Sequence, residues 1–470
     1  MTATDAHSIP HLTRDERVAA GKAARERLPL DSHADYVPQG RPDPVDVLEG
    51  QATTRVPELV PIRYGRMLAT PFTFYRGGAL LMAGDLSRSP SSGLSVQLCG
   101  DAHLSNFGAF ATPERRLVFD LNDFDETHPG PFEWDIKRLC ASLTVAAQNN
   151  DFSAKQQRKV AAAAAATYRE TMRSFARQGN LDVWYTHLDM EEAIRTLGEH
   201  LGDKVTARAE AALKKARNKN SLQALGKLTT TVDGQVRILS QPPLLVPVEE
   251  LWPHEESDYI YATLRDLVRS YRTTLQSDRQ HLLEQFRLVQ VARKVVGVGS
   301  VGTRAWILLF EGVDSGDPLF LQAKEAQPSV LADFVDIPSV HNHGERVVRG
   351  QHLMQAASDI FLGWQSGTGP EGTERDFYVR QLRDGKGSAV VEIMEPRTMT
   401  YYGRLCAQTL ARAHARSGDR VAIAAYLGSK SHFEEAVADF SVTYAEQNAL
   451  DHAALAQAVA SGRVEAKTDL

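Results

Sequence analysis

Most of the predictions made from this sequence depend on the stretch Leu98–Glu126, LCGDAHLSNFGAFATPERRLVFDLNDFDE. Its first half carries a G-D-x-H-x-x-N pattern, and its second half is an apolar strand followed by several carboxylates. The polar residues that these two patterns bring close together in sequence are Asp101, His103, Asn106, Asp120, Asn122, Asp123, Asp125 and Glu126. Carboxylates at this density repel one another, and burying them is costly unless a cation lies among them.

Clusters of carboxylate and amide oxygens suit a divalent cation. These are the hard ligands that Mg²⁺ prefers, and Mg²⁺ is usually held by one or two carboxylates and shared with substrate phosphates. The stretch therefore predicts a divalent metal and a phosphorylated substrate.

The composition of the whole chain is that of an ordinary globular protein. Its 470 residues exceed the size of a single growing core, so we expect two or three sub-domains. A formal net charge of −6 argues against a nucleic-acid-binding surface. No apolar stretch is long enough for a membrane helix, and no secretory signal is visible. Three scattered cysteines (Cys99, Cys140 and Cys406) fit a reducing cytoplasm, where we expect the protein.

The hydrophobic periodicity changes near Leu288, from a helical to a strand period. Before this point, the helical segments are Phe132–Gln148, Met190–Lys219 and Ser257–Phe286. After it, we predict strands at Leu288–Val298, Arg304–Glu311, Pro318–Lys324 and Phe377–Leu382, and helices at Gly344–Trp364, Tyr401–Arg416 and Ser431–Ala460. The pattern predicts an α+β fold with a mostly helical lobe and a smaller antiparallel sheet.

A glycine-rich segment, KVVGVGSVGTRAWILLF, forms a second pattern. Its Gly297, Gly299 and Gly302 are followed by a strand pattern, whereas a dinucleotide-binding fold would require a helix there. Strand, glycine loop and strand is the arrangement that covers nucleotide phosphates in kinases. The next strand carries Lys324 in an apolar run, where a buried lysine needs a charged partner. Glu345, near the start of the following helix, is the expected partner; the alternative is a plain glycine hairpin with an outward-pointing lysine.

With both patterns in view, the chain resembles the protein-kinase-like phosphotransferases. The most similar branch is the aminoglycoside and choline kinases, whose catalytic loop reads H-G-D-x-H-x-x-N; here the segment is Cys99-Gly100-Asp101-Ala102-His103-Leu104-Ser105-Asn106. That family's metal-binding aspartate matches Asp120, and its loop-bracing aspartate matches Asp135 in PFEWDI. The chain also resembles a bacterial family of unknown function that carries GDAHLSNFG, FDLNDFDE and MQAASDIFLGW.

The order of the two patterns departs from that of ordinary kinases. The glycine loop and Lys324 normally precede the catalytic loop, whereas here they follow it by about two hundred residues. The resemblance therefore implies a circularly permuted, two-lobed kinase-like fold, with Phe377–Leu382 as the hinge strand and Tyr402–His414 as the helix that normally runs into the catalytic loop. Cys99 also replaces the family's first histidine.

The resemblance also implies roles for individual residues. Asp101 would accept the proton of the attacking hydroxyl, and His103 would support the catalytic loop. Asn106 and Asp120 would hold Mg²⁺, with Asp123 or Asp125 as further ligands. ATP would lie under the glycine loop, and the residues assigned to its phosphates are Gly297, Gly299, Ser300, Gly302, Lys324 and Glu345. The acceptor would be a small molecule or a protein carrying a hydroxyl group, with neither nucleic acid nor membrane as a partner.

Three other functions stay open at this point. The Asp and His cluster could bind two metal ions in a hydrolase, the fold could be a non-catalytic nucleotide-binding regulator, or AMP could be transferred instead of phosphate. We expect an N-terminal arm at 1–90, a helical catalytic lobe at 91–287, a β-rich nucleotide-binding lobe at 288–400 and C-terminal helices at 401–470. Asp151–Phe286 is where we expect the acceptor pocket. Arg63, Arg66 and Arg76, set among aromatic residues, point outward or contact an anion.

Overall fold

A computed structural model describes residues 11–468, apart from 253, 315, 338–339, 369–371 and 383–384. The predicted α+β class is confirmed, with a helical lobe and one large antiparallel sheet. The first ten residues of the predicted N-terminal arm lie outside the described part. Within that part, no helix is both long enough and apolar enough to cross a membrane.

The chain enters through short helices and then forms the helical lobe. The first five helices are α1 (Arg14–Arg27), α2 (Pro44–Ala52), α3 (Val60–Leu68), α4 (Pro71–Gly77) and α5 (Ala79–Leu86). The strands that carry the acidic stretch are β1 (Ser95–Leu98), β2 (Phe107–Ala111), β3 (Leu117–Leu121) and β4 (His128–Pro131). The helices of the lobe then follow as α6 (Phe132–Asn149), α7 (Ala154–Phe175) and α8 (Asn180–Tyr185).

A helical insertion connects this lobe to the sheet. It contains β5 (Leu188–Asp189), α9 (Met190–Leu201), α10 (Asp203–Arg217), α11 (Ser221–Leu228), β6 (Thr229–Val232), β7 (Gln235–Ile238), β8 (Leu245–Pro247), α12 (Val248–Leu251), α13 (His254–Arg272) and α14 (Ser277–Leu283). The single helices predicted for 190–219 and 257–286 are each divided in two. Gly202, with φ +82°, separates α9 from α10 because that backbone conformation cannot continue a helix.

The large sheet is formed by the strands of the second half of the chain. They are β9 (Phe286–Lys294), β10 (Ala305–Gly312), β11 (Pro318–Ala326), β12 (Gly363–Thr368) and β13 (Glu374–Gln381), joined at one edge by β8. The order across the sheet is β12-β13-β11-β10-β9-β8, with every neighbouring pair antiparallel. The strand–glycine loop–strand arrangement is therefore confirmed, and a parallel dinucleotide-binding sheet is excluded for this region.

The remaining helices are α15 (His343–Met354), α16 (Pro396–Ser417), α17 (Arg420–Leu427) and α18 (His432–Ala460). The helix predicted to run from Gly344 to Trp364 ends at Met354, and Trp364 lies in β12. The backbone leaves the helix at Gln355, and the next N–H, that of Ala356, donates to Asp120 Oδ2 at 3.0 Å. A buried carboxylate far away in sequence thus overrides the helical pattern.

Close packing of α7 on α16 forms much of the helical core. Three alanines of α7 are fully buried, at Ala161, Ala164 and Ala165, and α16 contributes Cys406, Ala407, Leu410 and Ala411, also fully buried. Small side chains allow the two helix backbones to approach each other, because there is little side-chain volume between them.

A larger residue at this interface should therefore overpack it. We expect Ala165→Leu to lower the free energy of unfolding by about 1–3 kcal/mol, whereas Ala163→Leu, on the half-buried outer face of α7, should change it by about 0.5 kcal/mol or less. Urea denaturation followed by circular dichroism measures both. Equal effects of the two substitutions would contradict the packing described here.

Candidate functional site

The loop after β1 is held in place by its own backbone and by Asp135 of α6. Gly100 has φ +82°, and a Cβ there would lie 2.1 Å from the carbonyl oxygen of Glu126, so only glycine fits. The N–H groups of Cys99 and Gly100 donate to the two carboxylate oxygens of Asp135 at 2.8 and 3.1 Å. These two hydrogen bonds place Asp135 where the family resemblance implies a residue that braces the loop.

Asp101 is presented by this loop with one oxygen fixed. Arg138 Nε donates to Asp101 Oδ1 at 2.7 Å, and His103 Nε2 lies 3.6 Å from Asp101 Oδ2. Burial raises the pKa of the Asp101 carboxyl above its ordinary value, although Arg138 opposes this effect. The side chain remains 17% exposed, so it is a buried carboxylate that still reaches solvent.

His103 and Asn106 both form hydrogen bonds within the loop after β1. The Ser105 N–H donates to His103 Nδ1 at 3.2 Å, and Asn106 Nδ2 donates to the carbonyl oxygen of Asp101 at 2.7 Å. Burial holds the pKa of His103 well below its usual range, so the ring is neutral at pH 7. The supporting position predicted for His103 agrees with these contacts.

Asp125 connects the acidic stretch to the sheet. Lys324 Nζ of β11 lies 2.5 Å from Asp125 Oδ2 and 4.0 Å from the Asp123 carboxylate. Tyr378 of β13, which is paired directly with Lys324 in the sheet, donates its hydroxyl to Asp125 Oδ1 at 2.6 Å. The hydroxyl of Ser300, in the glycine loop, donates to Asp125 Oδ2 at 3.3 Å. One carboxylate therefore gathers groups from three separate segments.

The electrostatics of the two neighbouring aspartates differ. Burial and the negative charge of Asp125 raise the pKa of Asp123. Burial also opposes ionisation of Asp125, but the attraction of Lys324, the Tyr378 hydroxyl and Arg380 prevails and lowers its pKa. Asp125 is therefore a stable partner of Lys324, while Asp123 is a carboxylate whose charge is only partly compensated. Burial raises the pKa of Glu126, the next acidic residue, to about 7.

The glycine loop, between β9 and β10, is held by the N-terminal helices. Gly297 and Gly302 have φ +67° and +91°, conformations that favour glycine. The N–H of Val56 donates to the Gly302 carbonyl oxygen at 2.8 Å, and Arg66 Nη1 donates to that of Gly297 at 2.7 Å. The residues before α3 and in α3 therefore fix the shape of the loop.

A cavity of about 390 Å³ lies between these segments. Its volume is within the range of small-molecule sites. Its polar lining comes from the loop after β1, the acidic stretch, the glycine loop, the N-terminal helices and the end of β11; the residues used below are Asp101, Asp123, Asp125, Glu126, Gly299, Ser300, Glu325, Arg55, Arg63 and Arg76. The two patterns that sequence analysis singled out thus meet at one cavity, although about two hundred residues separate them.

Asp120 does not lie at this cavity, which corrects the ligand position predicted for it. Its side chain is 1% exposed, and Oδ1 is paired with Arg412 of α16. Oδ1 also accepts from the Leu121 N–H at 2.8 Å, and Oδ2 accepts from Ala356 N–H. Both oxygens are therefore used internally, because the alternation of β3 turns this residue toward α16.

Glu345 is also placed differently from the prediction. It lies in the first turn of α15, and its carboxylate pairs with Arg349 Nη2 at 2.5 Å, four residues along the same helix. Lys324 takes Asp125 as its partner instead. The expected ion pair between Lys324 and Glu345 is thus not formed, because Asp125 and Asp123 already surround the lysine ammonium.

The carboxylates of the cavity limit how a metal could be held. Within the described residues, no group of three or more Asp, Glu, His or Cys side chains is arranged as a metal site. Mg²⁺ normally needs only one or two carboxylates when phosphates complete its shell. Asp123 fits this requirement because its carboxylate lines the cavity, is about one-third exposed and is only partly neutralised by Lys324. Asp125 is adjacent, but its negative charge is compensated by the ion pair with Lys324.

Several residues of the site escaped sequence analysis. Arg138 lies within a helix that reads as apolar, and Arg412 lies in a similar pattern on α16. Tyr378 was part of a predicted hinge strand but carried no predicted role. A signal existed for Arg138 and Arg412, because an arginine on the buried face of a helix requires a buried carboxylate partner.

Comparison with known proteins yields one match. A family model described as an uncharacterized protein conserved in bacteria (DUF2252) matches residues 55–458. The matched range includes the loop after β1, the acidic stretch, the glycine loop and Lys324. Neither a curated protein nor a solved structure matches the chain.

The pairing of Asp120 generates a test of its structural role. We expect Asp120→Asn to lower the free energy of unfolding by about 3–5 kcal/mol, because it leaves Arg412 buried without its partner. Asp123→Asn, in a partly exposed position, should change it by about 1 kcal/mol or less. Thermal and urea denaturation of both variants measure the difference.

The double variant Asp120→Asn with Arg412→Met serves as the control, since it removes both charges and should recover part of the lost stability. If Asp120→Asn were as stable as the wild type, the ion pair would not have the structural role assigned to it.

Proposed function

The chain belongs to this bacterial family of uncharacterized proteins, and we propose that it is an ATP- and Mg²⁺-dependent phosphotransferase acting on a hydroxyl acceptor. The observation that carries the proposal is the contact of Lys324 and Ser300 with Asp125 beside the cavity that Asp101 lines. A lysine strand, a glycine loop, an acidic segment and a loop with a catalytic-type aspartate are the parts that phosphoryl transfer requires at one place.

The chain order is compatible with the permuted arrangement. The C-terminal end of α16 lies beside β1, where the Gln97 N–H donates to Ser417 Oγ at 3.1 Å. In the order of ordinary kinases a helix of this kind runs directly into the catalytic loop. The end of α16 and the strand that precedes Asp101 are therefore neighbours in space, although about three hundred residues separate them in sequence. This closeness supports a kinase-like site assembled in a different chain order.

Each polar group has a definite task in the proposed reaction. Asp101 accepts the proton of the acceptor hydroxyl, and the oxygen of that hydroxyl bonds to the γ-phosphorus. At the same time the bond between the γ-phosphorus and the oxygen of the leaving ADP breaks. Arg138 fixes the Asp101 carboxylate, and neutral His103 supports it from behind. Lys324 and the backbone of the glycine loop lie beside the same acidic segment. We assign the nucleotide phosphates to them, because a lysine and backbone N–H groups attract anions.

Mg²⁺, when bound, would neutralise charge on the transferred phosphates. Asp123 is the residue that we assign to it, with Asp125 as its neighbour. Asn106 remains a candidate through its position on the loop after β1. Asp120 is not assigned, because its carboxylate is paired with Arg412.

The internal pairing of Asp120 weighs against the two-metal hydrolase. That alternative uses Asp101, His103, Asp120 and Asp123 as ligands of two ions. Asp120 has both oxygens engaged away from the cavity, and His103 Nδ1 already accepts a hydrogen bond from the loop backbone. The hydrolase also leaves Lys324 and the glycine loop without a purpose.

Nucleotide binding should depend on Lys324. We expect Lys324→Met to weaken Mg–ATP binding at least about tenfold, because a charge-assisted hydrogen bond to phosphate is lost. Isothermal titration calorimetry measures the affinity, and Lys155→Met, an exposed lysine on α7, is the control. Unchanged ATP affinity in Lys324→Met would contradict the proposal.

Loss of Lys324 also leaves Asp125 without its cation, so a fall in stability must be separated from a loss of binding. The double variant Lys324→Met with Asp125→Asn removes both charges and should regain stability without regaining ATP affinity. Recovery of ATP binding in this double variant would show that Lys324 acts only on the fold.

Asp101 should affect the rate and leave nucleotide affinity nearly unchanged. We expect Asp101→Asn to reduce ATP turnover by about 10²–10⁴-fold, since a positioned general base contributes this much. Basal ATP hydrolysis is the first assay, with Asp278→Asn on the exposed side of α14 as the matched control. Because the pKa of Asp101 is raised, the wild-type rate should fall as the pH drops through a value above the ordinary 3.8 of an aspartate. A rate that is equal in both variants would exclude Asp101 as the base.

A further inference from the structure

Three arginines from the N-terminal part of the chain border the same cavity. Arg55 precedes α3, Arg63 lies within α3, and Arg76 lies at the end of α4. Arg63 is fully buried and Arg55 is 7% exposed, while Arg76 is half-buried. None of the roles assigned to the phosphotransferase site uses them.

Their hydrogen bonds are made only to neutral groups and leave several nitrogens unpaired. Arg63 Nη2 donates to Gln51 Oε1 at 2.5 Å and to the Gly77 carbonyl oxygen at 3.2 Å, and Arg55 Nη1 donates to the Val301 carbonyl oxygen at 2.5 Å. Nε and Nη1 of Arg63, and Nε of both Arg55 and Arg76, are buried without a hydrogen-bond partner.

The acidic residues of the cavity attract Arg55 and Arg76 electrostatically, but this attraction compensates the positive charges only in part. Among the described residues, no carboxylate lies within ion-pairing distance of the three arginines. Three of the cavity carboxylates have other cations: Asp101 is paired with Arg138, Asp125 with Lys324, and Glu325 with Arg304. These three carboxylates therefore have cations of their own, and the arginine side of the cavity carries positive charge that no ion pair among the described residues compensates.

This arrangement is unfavourable for a protein without a ligand. Burial lowers the pKa of all three guanidinium groups, and for Arg63 the positive charge of Arg55 lowers it further. Buried charges are normally paired, and removing an arginine's solvent shell without supplying an anion is costly. A planar guanidinium offers several N–H donors in a fixed geometry that matches phosphate oxygens.

We infer that Arg55, Arg63 and Arg76 form a subsite that binds a phosphate group, distinct from the groups around Lys324. Two sources of that phosphate share this chemistry: the terminal phosphate of the nucleotide, and a phosphate carried by the acceptor. Its assignment as part of a substrate site rests on the proposed phosphotransferase function, whereas the binding of a phosphate group by these arginines does not.

Inorganic phosphate is the probe, added to the full-length protein without nucleotide. We expect it to raise the melting temperature of the wild type and to bind about 10- to 100-fold more weakly to Arg63→Met and to Arg76→Met, because each loses a charge-assisted hydrogen bond. Arg287→Met, which removes an exposed arginine of the sheet, should bind phosphate like the wild type. Calorimetry gives the affinities.

The stability of the variants without phosphate distinguishes a ligand-binding role from a structural one. Arg63→Met should be as stable as the wild type or more stable, since methionine replaces an incompletely paired buried charge with an apolar side chain. If Arg63→Met is destabilised, the half-buried Arg76→Met still tests binding. Unchanged phosphate affinity in Arg76→Met, or no binding by the wild type at millimolar phosphate, would overturn the inference.

A third measurement identifies the source of the phosphate and separates the two proposals. If a non-hydrolysable ATP analogue displaces phosphate, the subsite holds the nucleotide; if both bind together, it holds a phosphorylated acceptor. Phosphate binding that depends on the arginines without any ATP binding would support the subsite and reject the kinase-like function. If ATP binds but the arginine substitutions leave phosphate affinity unchanged, the subsite is rejected and the kinase-like function is supported.

Discussion

The ion pair between Lys324 and Asp125 is the contact on which the arrangement of the site depends. It joins β11 of the large sheet to the acidic segment of the helical lobe, across 199 residues of sequence. Tyr378 and Ser300 add hydrogen bonds to the same carboxylate, so the sheet, the glycine loop and the acidic segment share one anchor. In a buried position such a pair gives orientation more than stability, because desolvation offsets much of its attraction. This anchor acts together with the contacts that Val56 and Arg66 make to the glycine loop.

Two aspartates that lie five residues apart, Asp120 and Asp125, have different surroundings and different partners. Asp120 lies within a strand whose alternation directs it into the helical lobe, where Arg412 pairs with it. Asp125 lies beyond the end of that strand and faces the sheet. The first carboxylate stabilises the connection between α16, β3 and the residues after α15, and the second belongs to the cavity. Their environments, not their residue type, separate the carboxylate of the helical core from the carboxylate of the cavity.

The sequence predicted what depends on local pattern. The strands around the glycine loop and the helix that starts near Phe132 follow from periodicity. The hydrogen bonds of Asp135 to the loop after β1 lie where the family resemblance implies them. The sequence could not tell which of Asp120, Asp123 and Asp125 lies at the cavity. This depends on the partners of each carboxylate, such as Arg412, which lies 292 residues from Asp120. The same applies to the start of β12, where Gly363 and Trp364 were predicted to be helical but pair with β13. The unpaired state of Arg55, Arg63 and Arg76 is likewise a property of packing, which no spacing rule reveals.

The way the N-terminal segment holds the glycine loop has a consequence for biosynthesis. Val56 and Arg55 bond to Gly302 and Val301, about 246 residues later, and α16 supplies Arg412 and His414 to the segments around Asp101 later still. A chain emerging from the ribosome therefore contains Arg55 and Val56 long before the glycine loop that they hold, and Asp120 and Asp135 long before their partners on α16. Partial chains expose the acidic segment without Lys324, and the cavity can form only after β11 and the residues that follow it have been synthesised, because its lining extends to Asp333. Any product shortened before α16 would carry Asp101 and Lys324 but would leave Asp120 and Asp135, which lie beneath the loop after β1 and the acidic segment, without their partners Arg412 and His414.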